Sequence, residues 1–209
     1  MKRFAFTMLE LVFVIIVIGI LAVLAMPNFN RHPLQEAAEQ IASHIRYTQH
    51  LAMVDDKFDP ADDEWWQKRW QIHFENAAGG EKIYVIYNNL EGDTNEDDNE
   101  LARDPLTRRL MKGTDNDIAS DPTKYTGDLM ISKAYGISGV SFSADCHPSS
   151  ATSSRLGFDN LGRPYYHTAN SAPYDDLLIA NCNITLTHSD GTAVITIRPE
   201  TGYVSVTYP

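Results

Sequence analysis

An α+β fold, a long N-terminal α-helix packed on an antiparallel β-sheet domain, is what the sequence predicts, on three observations. Residues 6–26 (FTMLELVFVIIVIGILAVLAM) form an apolar run of 21 residues with Glu10 as its single formal charge. A helical stripe then continues to about residue 54. The C-terminal third reads as β-rich runs joined by tight turns.

As a helix, the apolar run spans about 31 Å, the thickness of a bilayer core. Lys2 and Arg3 precede it and keep the start cytoplasmic by the positive-inside rule. A cleaved secretory signal has a shorter apolar core and no carboxylate inside it. A plain membrane anchor explains the length but not Glu10, whose charge costs about 3 kcal/mol at the bilayer centre unless it is paired.

Beyond the apolar run, Leu34, Ala37, Ala38, Ile41, Ala42, Ile45, Leu51 and Ala52 recur mostly at i, i+3, i+4 spacing, with Gln35, Glu36, Glu39, Gln40 and Arg46 on the other side. Pro27 and Pro33 each remove an amide donor and favour a kink, and a curved or locally unwound helix is expected between Gly19 and Pro27. After Val54 the acidic stretch 55–64 reads as a loop.

Residues 69–75 (RWQIHFE) alternate Trp70, Ile72 and Phe74 with Gln71, His73 and Glu75, the period of a half-buried strand. Residues 82–88 follow a Gly-Gly turn and suggest a hairpin partner, whereas 89–124 is polar and irregular. Strand signals resume at 139–143 and 155–159. The runs 183–188, 193–198 and 203–208 are linked by Ser-Asp-Gly-Thr and Pro-Glu-Thr-Gly turns, which implies an antiparallel meander.

The formal net charge of −11 disfavours nucleic acid as a partner, because such a surface repels phosphate. Cys146 and Cys182 lack metal-ligand spacing. In an oxidising compartment they can close one disulfide, worth about 4 kcal/mol for a loop of that size; two separate buried thiols are the alternative.

Asp93, Asn95, Asp97 and Asn99 place oxygens at alternate positions, with Asp104 where a twelfth-position ligand falls. That pattern suits calcium, although the turn glycine at the sixth place is missing. A solvated acidic loop is the competing reading. The seven histidines form no HExxH and no pair with metal-ligand spacing, and no nucleophile elbow is present. The sequence therefore predicts no enzyme.

The string Ala5-Phe6-Thr7-Met8-Leu9-Glu10-Leu11, after a short basic leader and before a long aliphatic helix, resembles the N-terminal methylation motif of the type IV pilin superfamily. The resemblance implies a type IV pilin-like fold and a leader of residues 1–5. A prepilin peptidase would cut between Ala5 and Phe6 and methylate the new amine of Phe6, and Ala5 stands where the family usually has glycine. Residues 6–26 would form a transmembrane and polymerisation helix, 27–54 its amphipathic continuation, and 55–209 a periplasmic β-rich domain. Glu10 would set the assembly register by meeting the Phe6 amine of a neighbouring subunit, since neither charge is tolerated unpaired in an apolar filament core.

The order of RWQIHFE, KIYVIYN, LGFDNLGRPY and ITLTH–SDGTAVITIRPETGYVSV is similar to the H-type pseudopilin (GspH/FimT-like) group of type II secretion systems and type IV pili. The expected role is then a minor pilin or pseudopilin, single-pass in a bacterial inner membrane before incorporation into a pseudopilus or pilus. Its expected partners are other pilins or pseudopilins, the prepilin peptidase, the inner-membrane assembly platform and motor, and inner-membrane lipid. The alternative is a membrane-anchored periplasmic binding module, calcium-dependent or not, that never polymerises.

Overall fold

A computed structural model of the chain describes residues 7–25, 32–90, 96–113, 121–146, 154–166 and 172–208. It divides into two compact units, Met1–His32 and Pro33–Pro209.

The first unit carries helix α1 (Met8–Ala25), and the second begins with helix α2 (Pro33–Val54). This corrects the expectation of one long N-terminal helix with a transmembrane half. Helix is found as two separate elements, and among the described residues no helix is long and apolar enough to cross a membrane. Pro33 supplies a physical reason for the separate start of α2. At the first helical position its missing N–H would have no intrahelical partner in any case, and its ring biases the preceding residue away from helical angles.

Among the described residues eight strands follow α2: β1 (Trp70–Asn76), β2 (Lys82–Asn88), β3 (Gly139–Phe142), β4 (Arg155–Phe158), β5 (Pro164–Tyr165), β6 (Cys182–His188), β7 (Gly191–Ile197) and β8 (Val204–Thr207). A short helix α3 (Ile131–Tyr135) precedes β3. The strands form two four-stranded sheets, ordered β2-β1-β4-β5 and β3-β6-β7-β8. Every pairing is antiparallel.

Helix α2 sits against β1 and β4 of the first sheet and against β6, β7 and β8 of the second. Its buried stripe is Ala37, Ala38, Ile41, Ala42, Ile45, Thr48 and Ala52. Four of the seven are alanines, which keep the helix surface low enough for close contact with a sheet. From β1 and β2, Ile72, Phe74, Tyr84 and Ile86 join the same core. The register pairs Ile72 with Ile86 and Phe74 with Tyr84, so these four share one face.

The opposite face of β2 is also buried, which the polar-out alternation of an antiparallel sheet would not require. Val85 and Tyr87 pack with Leu101, Leu110 and Tyr125 into a second, smaller core. Single β-bridges from Leu101 to Tyr87 and from Lys112 to Val85 cover the outer edge of β2. Ile86 N–H donates to the Met111 carbonyl at 3.0 Å, and Ala102 N–H donates to the Ile86 carbonyl at 2.8 Å. The irregular stretch after β2 is therefore an edge cover, which blocks the open hydrogen-bonding row of a terminal strand.

Candidate functional site

Three places on the chain gather chemistry: the start of α1, the junction under α2, and the outer face of β1.

Thr7 caps α1, with its Oγ1 accepting from the Glu10 N–H at 3.3 Å. Thr-x-x-Glu is thus also a helix-start signature, in which a hydroxyl satisfies one of the four orphan amides of the first turn. Glu10 is exposed and is the only formal charge of α1. Around it the helix shows an apolar surface, with Leu9 82% and Phe13 66% exposed. Ala5 and Phe6, the expected processing residues, lie outside the described residues.

At the junction, Gln49 of α2 donates through Nε2 to the carbonyls of Gly162 (2.8 Å) and Thr201 (2.9 Å). It thereby joins the Leu156–Tyr165 stretch to the Glu-Thr-Gly turn before β8. Gly202 has φ +62°, and a Cβ there would come within 2.5 Å of Gln49 Nε2 and 2.6 Å of the Gly162 carbonyl oxygen. Only glycine leaves room for Gln49 to bridge the two turns.

Asp159 organises the first of these turns. Its Oδ1 accepts from the amides of Leu161 (3.0 Å) and Arg163 (2.8 Å). Its Oδ2 accepts from Arg163 Nε (2.7 Å) and the Tyr165 hydroxyl (3.1 Å). The Arg69 guanidinium lies 4.0 Å from the centre of the Tyr165 ring. The group is closely interlocked and reads as structural.

On β1, residues His73 and Glu75 point to the same outer face because they are two apart. Glu96 reaches that face from the segment following β2. His73 Nδ1 is 2.7 Å from Glu75 Oε1 and 3.6 Å from Glu96 Oε1. Nδ1 is shielded from solvent, and the close Glu75 oxygen does not lie along a hydrogen-bond direction. Lys112 Nζ is 4.0 Å from Glu96 Oε2 and donates to the Glu96 carbonyl at 3.2 Å. Burial disfavours protonated His73, but the two glutamates outweigh it and raise its pKa. Contact with His73 holds the Glu75 carboxyl below its ordinary value.

Of the expected calcium ligands, Asp93 and Asn95 lie outside the described residues. Asp97 and Asn99 are exposed. Asp104 Oδ1 accepts from the amides of Leu106 (2.9 Å) and Thr107 (2.6 Å) and from the Thr107 hydroxyl (3.0 Å), so one of its oxygens already closes a turn. Cys146 and Cys182 are joined in a disulfide, with their Cα atoms 4.6 Å apart.

The His73–Glu75–Glu96 group was not foreseen. Its His-x-Glu half is visible in RWQIHFE once that run is taken as a strand. Glu96 is distant in sequence and joins only through the fold. No family model matches the chain, and no curated protein or solved structure matches it either.

Proposed function

We propose that the chain is a structural subunit, a minor pilin or pseudopilin of the H type, of a type II secretion pseudopilus or a type IV pilus. The observation that carries this reading is the surface of α1, exposed and apolar around a lone carboxylate at Glu10. Such a surface is not left to water; lipid or like helices cover it. Before assembly the cover would be lipid of the inner membrane, with the β domain in the periplasm. In the filament it would be α1 helices of neighbouring subunits, with Glu10 meeting a neighbour's Phe6 amine.

On this reading the prepilin peptidase releases residues 1–5 and methylates Phe6. The assembly platform and motor then move the subunit into a filament that supports protein secretion or pilus biogenesis. Removing Lys2 and Arg3 with the leader shifts the net charge from −11 to −13, which leaves nucleic acid a poor partner. The junction at Gln49 supports the H-type assignment, because it ties together two of the four segments that carry the resemblance.

The test is Glu10→Gln in the producing cell. Loss of the subunit from sheared filaments, with an unchanged level in the membrane fraction, is the expected outcome. Undiminished incorporation, together with an unmethylated Phe6 by mass spectrometry, would sink the assembly reading and leave a non-polymerising binding module.

A further inference from the structure

From the outer face of the first sheet we propose that His73, Glu75 and Glu96 form a binding site for one divalent transition-metal ion of the zinc class. The inference is independent of the filament reading. One ligand atom from each of the three residues lies within 4.8 Å of the others. A tetrahedral zinc ion takes nitrogen and oxygen ligands at about 2.0–2.2 Å, which sets them about 3.4 Å from one another, so a common centre needs the widest pair to close by up to about 1.4 Å. Rotamer adjustment of the glutamates supplies that, since both side chains are long and Glu75 is only partly covered.

The donor set fits the ion class. Two carboxylates neutralise a divalent charge, and a neutral centre is the form a largely shielded site tolerates. The side chains of His73 and Glu96 are 15% and 10% exposed. An imidazole nitrogen favours zinc, nickel or copper over calcium and magnesium, which prefer oxygen alone. His73 Nδ1 is shielded from solvent and flanked by two carboxylate oxygens, at 2.7 Å and 3.6 Å, so one nitrogen and two oxygens already converge.

Lys112 is the obvious competitor, and its position limits its effect. It approaches the Oε2 side of Glu96 and donates to the backbone carbonyl of the same residue. Oε1 is the oxygen nearer His73. Lys112 thus helps to hold Glu96 over β1.

An ion here would pin Glu96 to the central strand β1. Glu96 leads into the segment that covers the edge of β2, where the Glu100 carbonyl accepts from the Asn88 N–H at 3.0 Å. The ion would therefore act as a clasp on the outer layer of the domain. It is distinct from the oxygen-only calcium site expected at Asp93, Asn95, Asp97, Asn99 and Asp104.

Calorimetric titration of the purified full-length chain in detergent, stripped with chelator, tests the site with zinc chloride and separately with calcium chloride. The expected result is one zinc bound per chain, a rise in the thermal midpoint with zinc, and no comparable response to calcium. Glu96→Gln keeps shape and backbone and should weaken zinc binding by at least about tenfold, as should His73→Gln. An Asp97→Asn, Asn99→Ala chain should bind zinc as the parent does. Cobalt(II) should give visible d–d absorption that Glu96→Gln abolishes, a readout that a purely structural role for Glu96 would not move. A parent chain silent to zinc, affinity unchanged in both ligand variants, or calcium bound as tightly as zinc would each overturn the proposal.

Discussion

Lowering the pH from 7 to 5 should destabilise the Pro33–Pro209 unit through His44. This residue sits on α2 facing β2, and its Nδ1 is 2.6 Å from the Tyr84 hydroxyl. Tyr84 in turn accepts from Gln40 Nε2 at 2.9 Å, and Gln40 Oε1 accepts from the Tyr135 hydroxyl. With Tyr84 accepting from Gln40, its own proton is best donated to His44, which must then be neutral at Nδ1. Protonating His44 puts a second donor against Tyr84 and leaves the tyrosine proton without that acceptor. Desolvation lowers the His44 pKa from 6.5 to about 4, against the opposing pull of Asp104 and Asp128.

Between those two values the unfolded chain binds more protons than the folded one, so stability rises with pH across that window. The contribution is whole above the unfolded value and is lost as pH falls towards 4. At 1.36 kcal/mol per pH unit, the gap from 6.5 to about 4 bounds the loss at about 3 kcal/mol. Between pH 7 and pH 5 the loss amounts to about 2 kcal/mol. His44→Gln retains an acceptor for Tyr84 and removes the titration. Urea unfolding followed by tryptophan fluorescence at both pH values should therefore show a drop for the parent that exceeds the drop for the variant by about 2 kcal/mol. Parent and variant profiles that run parallel would refute the reasoning, because every other titrating group is common to both chains.

Two further outcomes follow from the same unit. Removing the Cys146–Cys182 link by a double serine substitution frees a 36-residue separation and should cost about 4 kcal/mol, read as a lower urea midpoint that reductant no longer changes. Gly202→Ala should lower stability by about 2 kcal/mol or more, combining positive-φ strain with displacement of Gln49 from two carbonyls. Gly191→Ala should cost less, since that glycine also has positive φ but nothing within 4 Å; equal losses at the two glycines would show that the Gln49 bridge contributes nothing.

The parts of this fold that are legible in the sequence are those where local periodicity and burial coincide. The stripe from Ala37 to Ala52 is readable because alanine and isoleucine recur on one helical face, and that face is buried. The Ser189–Asp190 and Pro199–Gly202 turns mark the β6–β8 meander because turn chemistry is local. Assignment of strands to two sheets is not local. Nothing in the run 139–142 says that it pairs with β6 rather than with β4. The edge cover over β2 escapes periodicity because it is held by isolated bridges, too short for a pattern to repeat. The separate start of α2 was signalled by Pro33, but the continuous apolar and amphipathic pattern outweighed it. The His73–Glu75–Glu96 group was hidden for the same reason as the sheets: one of its three residues arrives through tertiary structure.

Glu10 shows how one residue can carry two local reasons, and how far each reaches. As part of the first turn of α1, its N–H is capped by Thr7, and a carboxylate at a helix N-terminus gains about 0.3–1 kcal/mol from the helix dipole. In water that suffices to explain an acidic residue there. If the apolar surface of α1 is covered, by lipid or by other helices, the same charge costs about 3 kcal/mol, and the dipole recovers at most a third of it. A deficit of about 2 kcal/mol then remains for a partner cation to offset, and the carboxylate has none among the described residues. Capping and assembly therefore make different demands. If Glu10 serves only the helix start, Thr7→Ala and Glu10→Gln should impair filament incorporation equally. If it pairs with a neighbour's amine, Glu10→Gln should abolish incorporation while Thr7→Ala leaves most of it, because an adjacent helical turn can form without its cap but a buried ammonium cannot remain unpaired.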